Sequence, residues 1–402
     1  MITVARLLPV PLALSVACNL PVHHDPIRGT DDTSTSDAST DPSTGAPTSS
    51  GGTDDTSGTS SGTTGVLPSP WDGEPLPDAE PGFGHWIDFP DARCRDGSGA
   101  GLWLRRGEGE GLIIFFEGGG ACFNALTCAN NPAHYDPSEG PPYYELFYPD
   151  PAVNPVGDWS VAYVPYCTGD VHAGDRSDQV VPDVEGVQQF VGYRNGAAFL
   201  ERLVPTFSDV AHVLVAGASA GGFGAGVHYD RIARAFPGAR VTLLDDSGPP
   251  LPDDVLAPCL QQIWSDLWGF DDTLPQDCAD CFPSAGGGLS HLATYLAQAH
   301  PDQRLGLISS AADVTIRFFF GYGSDDCMPQ TINVDAAAYE AGLVDLRDHY
   351  LRDPDGVWGT VYVADSTHHV WVASKLDTAV EGVKLRDWIA RLIDGEALHL
   401  GL

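Results

Sequence analysis

From Trp86 onward, short and nearly unbroken apolar runs recur along the chain. They are Leu112–Phe116 (LIIFF), Val161–Tyr166 (VAYVPY), Val213–Ala216 (VLVA), Val241–Leu244 (VTLL), Leu305–Ser309 (LGLIS) and Val361–Ala364 (VYVA). Runs of this kind predict strands covered on both faces, because a strand with one wet face alternates apolar and polar residues. Between them, helices are expected at Val187–Val204, Gly222–Phe236, Val334–Arg352 and Leu376–Ile393. The alternation of strand and helix predicts an α/β fold with a doubly wound, mostly parallel sheet. Residues 249–300 break the rhythm with prolines, tryptophans and three cysteines, as an inserted lid or cap would.

The N-terminal part follows a different pattern. In residues 1–18, Arg6 precedes the apolar run Leu7–Ala17, which is too short to span a bilayer, and Ser15-Val16-Ala17 has the small residues of a cleavage site. The segment reads as an export signal. Cys18 stands where a bacterial lipoprotein carries its lipidated cysteine, so any membrane attachment is expected only through a lipid anchor there. Residues 19–70 are almost entirely Ser, Thr, Asp, Gly and Pro. Such a stretch buries too little apolar surface to offset its ordering entropy and is expected to be a tether. That leaves 71–402 as the folded domain.

Charge narrows the partners. The chain has 20 Lys and Arg against 55 Asp and Glu, a net charge of −35, and its two lysines are Lys375 and Lys384. Residues 1–70 hold seven Asp against Arg6 and Arg28, so −30 of that charge belongs to residues 71–402. Nucleic acid is not an expected partner, since phosphate binding needs clustered cations. A polyanionic substrate would also be repelled.

Gly217-Ala218-Ser219-Ala220-Gly221 matches G-x-S-x-G, as does Gly58-Thr59-Ser60-Ser61-Gly62 in the low-complexity tract. Only Ser219 has a strand before it and a helix after it. That arrangement makes a nucleophile elbow, which projects the hydroxyl at a helix N-terminus. Glu117-Gly118-Gly119-Gly120-Ala121-Cys122 follows the strand LIIFF, and its bare backbone suits an oxyanion loop. Gly119, Gly120 and Ala220 are the expected amide donors. No G-x-G-x-x-G follows, and no cofactor is expected.

A serine nucleophile needs a base, and the base needs an orienting carboxylate, in the chain order Ser, acid, His. Asp313 follows the strand LGLIS; His368 and His369 follow the strand VYVA. Rival acids are Asp245, Asp246, Asp325 and Asp326. His291, His300 and His399 follow no expected strand and are expected at the surface. A metal reading would use Asp170, His172 and Asp175 or the histidine pair. No H-E-x-x-H or paired C-x-x-C frame supports it, and no metal is expected.

EGGGACFN (117–124), PYCTGDVHAGD (165–175), GASAGGFGAGVHYD (217–230), the Asp313 segment and THHVWV (367–372) together resemble the pectin acetylesterase/Notum family, in its bacterial branch. The resemblance covers roughly residues 80–395. It implies an α/β-hydrolase fold with a disulfide-bearing lid, a Ser219–Asp313–His369 triad with His368 as the alternative base, and oxyanion donors at Gly119, Gly120 and Ala220. It also implies a Cys94–Cys167 and a Cys122–Cys128 disulfide, with Cys259, Cys278, Cys281 and Cys327 pairing among themselves in an order left open. The expected activity is hydrolysis of carboxylic esters, small or carried on carbohydrate, by a secreted or envelope-anchored enzyme. The alternatives are a surface binding protein that keeps the fold without catalysis, and a peptidase.

Overall fold

The computed structural model describes residues 71–402 apart from 79–80, 83, 329–332 and 353–354. The expected export signal at 1–18 with Cys18, and the tether at 19–70, lie outside the described residues. The chain runs through β1 (Gly84–Arg93), β2 (Gly99–Arg105), β3 (Gly111–Phe116), α1 (Ala125–Ala129), β4 (Ser160–Val164) and the small strands β5 (Arg176–Gln179) and β6 (Gln188–Phe190). It continues with α2 (Gly192–Thr206), β7 (His212–Ala218), α3 (Ala220–Ala235), β8 (Arg240–Asp246), α4 (Pro258–Trp268), α5 (Phe270–Thr273), α6 (Ser290–Ala299) and β9 (Arg304–Ser310). The last part holds α7 (Val314–Phe320), the turn α8 (Ser324–Cys327), α9 (Ala336–Asp345), β10 (Trp358–Val363), β11 (Ala379–Val380), β12 (Val383–Lys384), α10 (Leu385–Asp394) and β13 (His399–Leu400).

One sheet takes the order β1-β2-β4-β3-β7-β8-β9-β10-β13. Neighbours are parallel from β4 to β13, and β1 and β2 add an antiparallel edge. The apolar runs are explained by two cores, one on each face. Ile114, Phe116, Val213, Val215 and Leu243 pack on one face with Phe199 of α2, Val227 of α3 and Leu296 of α6. Ile113, Phe115, Leu214, Ala216 and Leu244 pack on the other with Trp388, Ile389 and Leu392 of α10. The six expected strands are β3, β4, β7, β8, β9 and β10. In a parallel sheet their carboxyl ends, with the loops that follow, gather along one edge.

Three expected helices need their limits corrected. Residues 188–190 pair with β5, so α2 begins only at Gly192. The stretch 376–384 makes a turn and the β11–β12 ladder, and α10 begins at Leu385. Past Asp345, the α9 helix widens into a π-helical turn at Leu346–Leu351.

Four disulfides join Cys94 to Cys167, Cys122 to Cys128, Cys259 to Cys327 and Cys278 to Cys281. Cys259–Cys327 ties α4 to α8, and Cys278–Cys281 closes a turn in the β8–β9 connection. That connection, residues 249–300, supplies both the crossover helix α6 and α4.

Candidate active site

Ser219 sits between the end of β7 and the start of α3, with φ 58° and ψ −119°, a backbone that L residues rarely adopt. The two flanking glycines are required by close approach. A side chain at Gly217 would collide with the Gly221 carbonyl, and one at Gly221 with the Phe116 carbonyl of β3. The turn therefore presses against the neighbouring strand and lifts the Ser219 side chain out of it. The chain after β3 lies directly alongside: a Cβ on Gly118 would come within 3.0 Å of Ser219 Cβ.

That glycine loop is held by its carbonyls. His172 Nε2 lies 2.8 Å from Glu117 O, Asn131 Nδ2 donates to Gly119 O at 2.8 Å, and Tyr166 Oη donates to Gly120 O at 2.9 Å. In a trans peptide the N–H points opposite to the C=O. Holding these carbonyls thus turns the N–H groups of Gly118, Gly120 and Ala121 away from their anchors. Burial lowers the His172 pKa to about 4, so it is neutral and donates through Nε2–H. Asn131 is set in turn by Arg95, a buried guanidinium that donates to the carbonyls of Asn131 and Cys128. The Cys122–Cys128 bridge and the Trp268 indole N–H on Cys122 O close the far end.

Asp313 is fully buried. Its Oδ1 accepts the amides of Thr315 and Ile316 at the start of α7, and Oδ2 lies 2.8 Å from His369 Nδ1. A carboxylate accepts, so Nδ1 carries the proton and Nε2 is bare. Nε2 is buried and, among the described residues, has no hydrogen-bond partner, Ser219 included. His368 instead places its Nε2 3.0 Å from Val370 O. The structure therefore joins Asp313 to His369, not to His368.

The rival acids are engaged elsewhere. Asp246 fastens the serine turn to the histidine loop: its carbonyl accepts Ser219 N–H at 2.7 Å, and its Oδ2 accepts Trp371 N–H and Val372 N–H at 2.7 and 2.8 Å. Asp245 accepts Gly248 N–H, and Asp325 and Asp326 are exposed. Of the histidines expected at the surface, His300 is mostly buried and pairs with Asp230 at 2.8 Å, because α6 packs it against α3. His291 lies edge-on to Tyr350, and His399 bonds Thr360 from β13. Asp170 accepts from Thr168 and Gly192, and Asp175 pairs with Arg194. Among the described residues, no three His, Cys, Asp or Glu side chains group as metal ligands. The roles of Asn131, Tyr166, His172 and Asp246 have no local spacing signal, since each acts on backbone far away in sequence.

Beside Ser219 lies an apolar cavity. Gly120, Ala121, Ser219 and Ala220 line it, together with Phe223, Trp264, Leu296, Phe319, Phe320 and Trp358. It offers about 60 Å³ to the centres of water-sized molecules.

Residues 87–285 match the family model described as pectinacetylesterase. The chain belongs to the pectin acetylesterase/Notum family. Within it, the Drosophila melanogaster palmitoleoyl-protein carboxylesterase Notum is 27% identical over 217 residues, which is 48% of this chain and 32% of that protein. Arabidopsis thaliana pectin acetylesterase 5 is 28% identical over 209 residues, 46% of this chain and 47% of that one. The alignments thus span 32% and 47% of these relatives' lengths. The solved structure of the Drosophila Wnt deacylase Notum superposes with a TM-score of 0.58 at 20% identity, covering 78% of this chain and 95% of that one. The likeness establishes a shared α/β-hydrolase-like fold.

The first glycine of the family-like loop follows Glu117, whose Oε2 accepts Tyr166 N–H at 2.9 Å. Burial raises its carboxyl from 4.5 to about 7. Between those values the unfolded chain has released its proton and the native state has not, so stability falls as pH rises through the window. Glu117→Gln keeps the acceptor and removes the titration. The variant is expected to match the parent near pH 4 and to exceed it by up to about 3 kcal/mol at pH 8. Denaturant midpoints at the two pH values check this; an equal difference at both would contradict it.

Proposed function

We propose that this chain is a serine esterase that removes a short acyl group from a small or carbohydrate-borne alcohol. Ser219 Oγ attacks the ester carbonyl while His369 Nε2 takes its proton, and Asp313 keeps the imidazole in the required tautomer. The oxyanion is received by the amides of Gly119, Gly120 and Ala220. The His369 proton then passes to the leaving alkoxide, and water attacks the acyl-enzyme to free the acid and restore Ser219. The observation that carries this reading is the Asp313–His369 pair with its bare Nε2, on a loop fastened to the Ser219 turn through Asp246.

The acyl length follows from the cavity. The small space beside Ser219 supports a short acyl group rather than a chain as long as the palmitoleoyl group named for the Notum relatives. A pectin-like polyanion is disfavoured by the −30 carried on residues 71–402. Four disulfides favour an oxidising compartment. We therefore read residues 1–18 as an export signal with Cys18 as a lipid attachment point in a bacterial envelope, 19–70 as a tether, 71–402 as the catalytic domain and 249–300 as its lid.

A fluorophosphonate probe should label Ser219, as located by peptide mass spectrometry. Across aryl esters from two to sixteen carbons, kcat/KM should peak at six or below and fall at least ~100-fold by sixteen. A binding protein that kept only the fold would neither label nor turn over any ester in the series.

A further inference from the structure

The cavity beside Ser219 is walled mostly by hydrocarbon, and Asp245 is the one acidic residue among those that line it. Asp245 is the penultimate residue of β8, in register with Gly217, two residues before Ser219, and is 4% exposed. Its Oδ1 accepts Gly248 N–H at 2.8 Å and lies against the first turn of α3 at Gly222. Among the described residues, no hydrogen bond reaches its second oxygen. Burial pushes the carboxyl well above the ordinary carboxylate range and favours its protonated form. The same cavity is lined by Trp264, whose buried indole N–H has no acceptor among the described residues. Buried polar groups without partners are uncommon and mark places where a ligand group is expected.

We propose that this cavity selects an acyl group bearing a hydroxyl one or two carbons beyond the ester carbonyl, with Asp245 as the specificity-determining residue and the Trp264 indole as a second donor. The inference rests on the esterase reading above. A hydroxyl both accepts and donates, so it completes a protonated carboxyl and an indole N–H together. An ammonium would require an ionised Asp245 inside hydrocarbon and would leave the indole unmatched. A plain hydrocarbon chain would leave both unmatched.

The test compares kcat/KM for 4-methylumbelliferyl butyrate with its 2-hydroxy- and 3-hydroxybutyrate counterparts. The parent should favour at least one hydroxyacyl ester by ~10-fold or more, since sites that bond a substrate hydroxyl reject the analogue lacking it. Asp245→Leu should erase or invert that ratio, and Trp264→Phe should reduce it several-fold. Asp245→Asn, which keeps the Gly248 bond, supplies the comparison should the leucine variant not fold. Butyrate turnover with no hydroxyl preference, or a preference unmoved by both Asp245 variants, overturns this proposal alone. Absence of any turnover together with absence of fluorophosphonate labelling overturns the esterase reading and this one with it.

Discussion

Ser219→Ala is expected to lower the hydrolysis of an aryl butyrate by roughly 10⁴–10⁶-fold, with the loss in kcat. On the proposed mechanism, the size follows from what disappears, the oxygen that forms the acyl-enzyme. The fold should be unaffected, because Ser219 is anchored through its backbone, whose N–H goes to Asp246 O and whose carbonyl receives Gly222 N–H. Alanine makes both bonds and carries the same strain at φ 58°. An unfolding midpoint equal to the parent's, beside lost turnover, is the expected pair of results. Retained turnover in a pure sample would refute the assignment.

Asp313→Asn is expected to cost about 10⁴-fold in kcat. The asparagine oxygen remains the acceptor for Thr315 and Ile316 N–H, which turns its amide NH₂ toward His369. Nδ1 must then accept, the ring proton moves to Nε2, and no lone pair remains for the serine proton. Asp246→Asn provides the contrast. Its carbonyl bond to Ser219 survives, and the asparagine oxygen still accepts from Trp371 and Val372. That change should cost no more than about ten-fold. Steady-state kinetics on both variants decides between the two acids, and a larger loss at Asp246 would reverse their roles.

The central strands were legible because burial on both faces leaves a continuous apolar signature, as in Leu112–Phe116 and Val213–Ala216. β1 and β2 left no such trace. β1 runs mostly along solvent with His85, Asp88, Pro90 and Asp91 in it, so its pattern resembles loop. The start of α2 was misjudged because Gln188–Phe190 finds a partner strand, a tertiary effect that propensity does not register. At the site, the elbow was readable since its glycines answer to local contacts with β3. His368 and His369 stand side by side with the same neighbours in sequence, and only the path of the loop decides which ring meets Asp313. The anchors of the glycine loop were unreadable for a related reason: Tyr166 and His172 act across 46 and 55 residues.

The bonds of Asp246 carry a consequence for the order in which the site is assembled. It meets Trp371 and Val372 across 125 and 126 residues, and Asp313 meets His369 across 56. A chain that has emerged only as far as β9 already possesses the serine elbow and the glycine loop, yet it has neither a base nor the latch that positions one. On the proposed esterase reading, ester cleavage would be withheld until the C-terminal segment docks, so a polypeptide still being synthesised would be chemically silent.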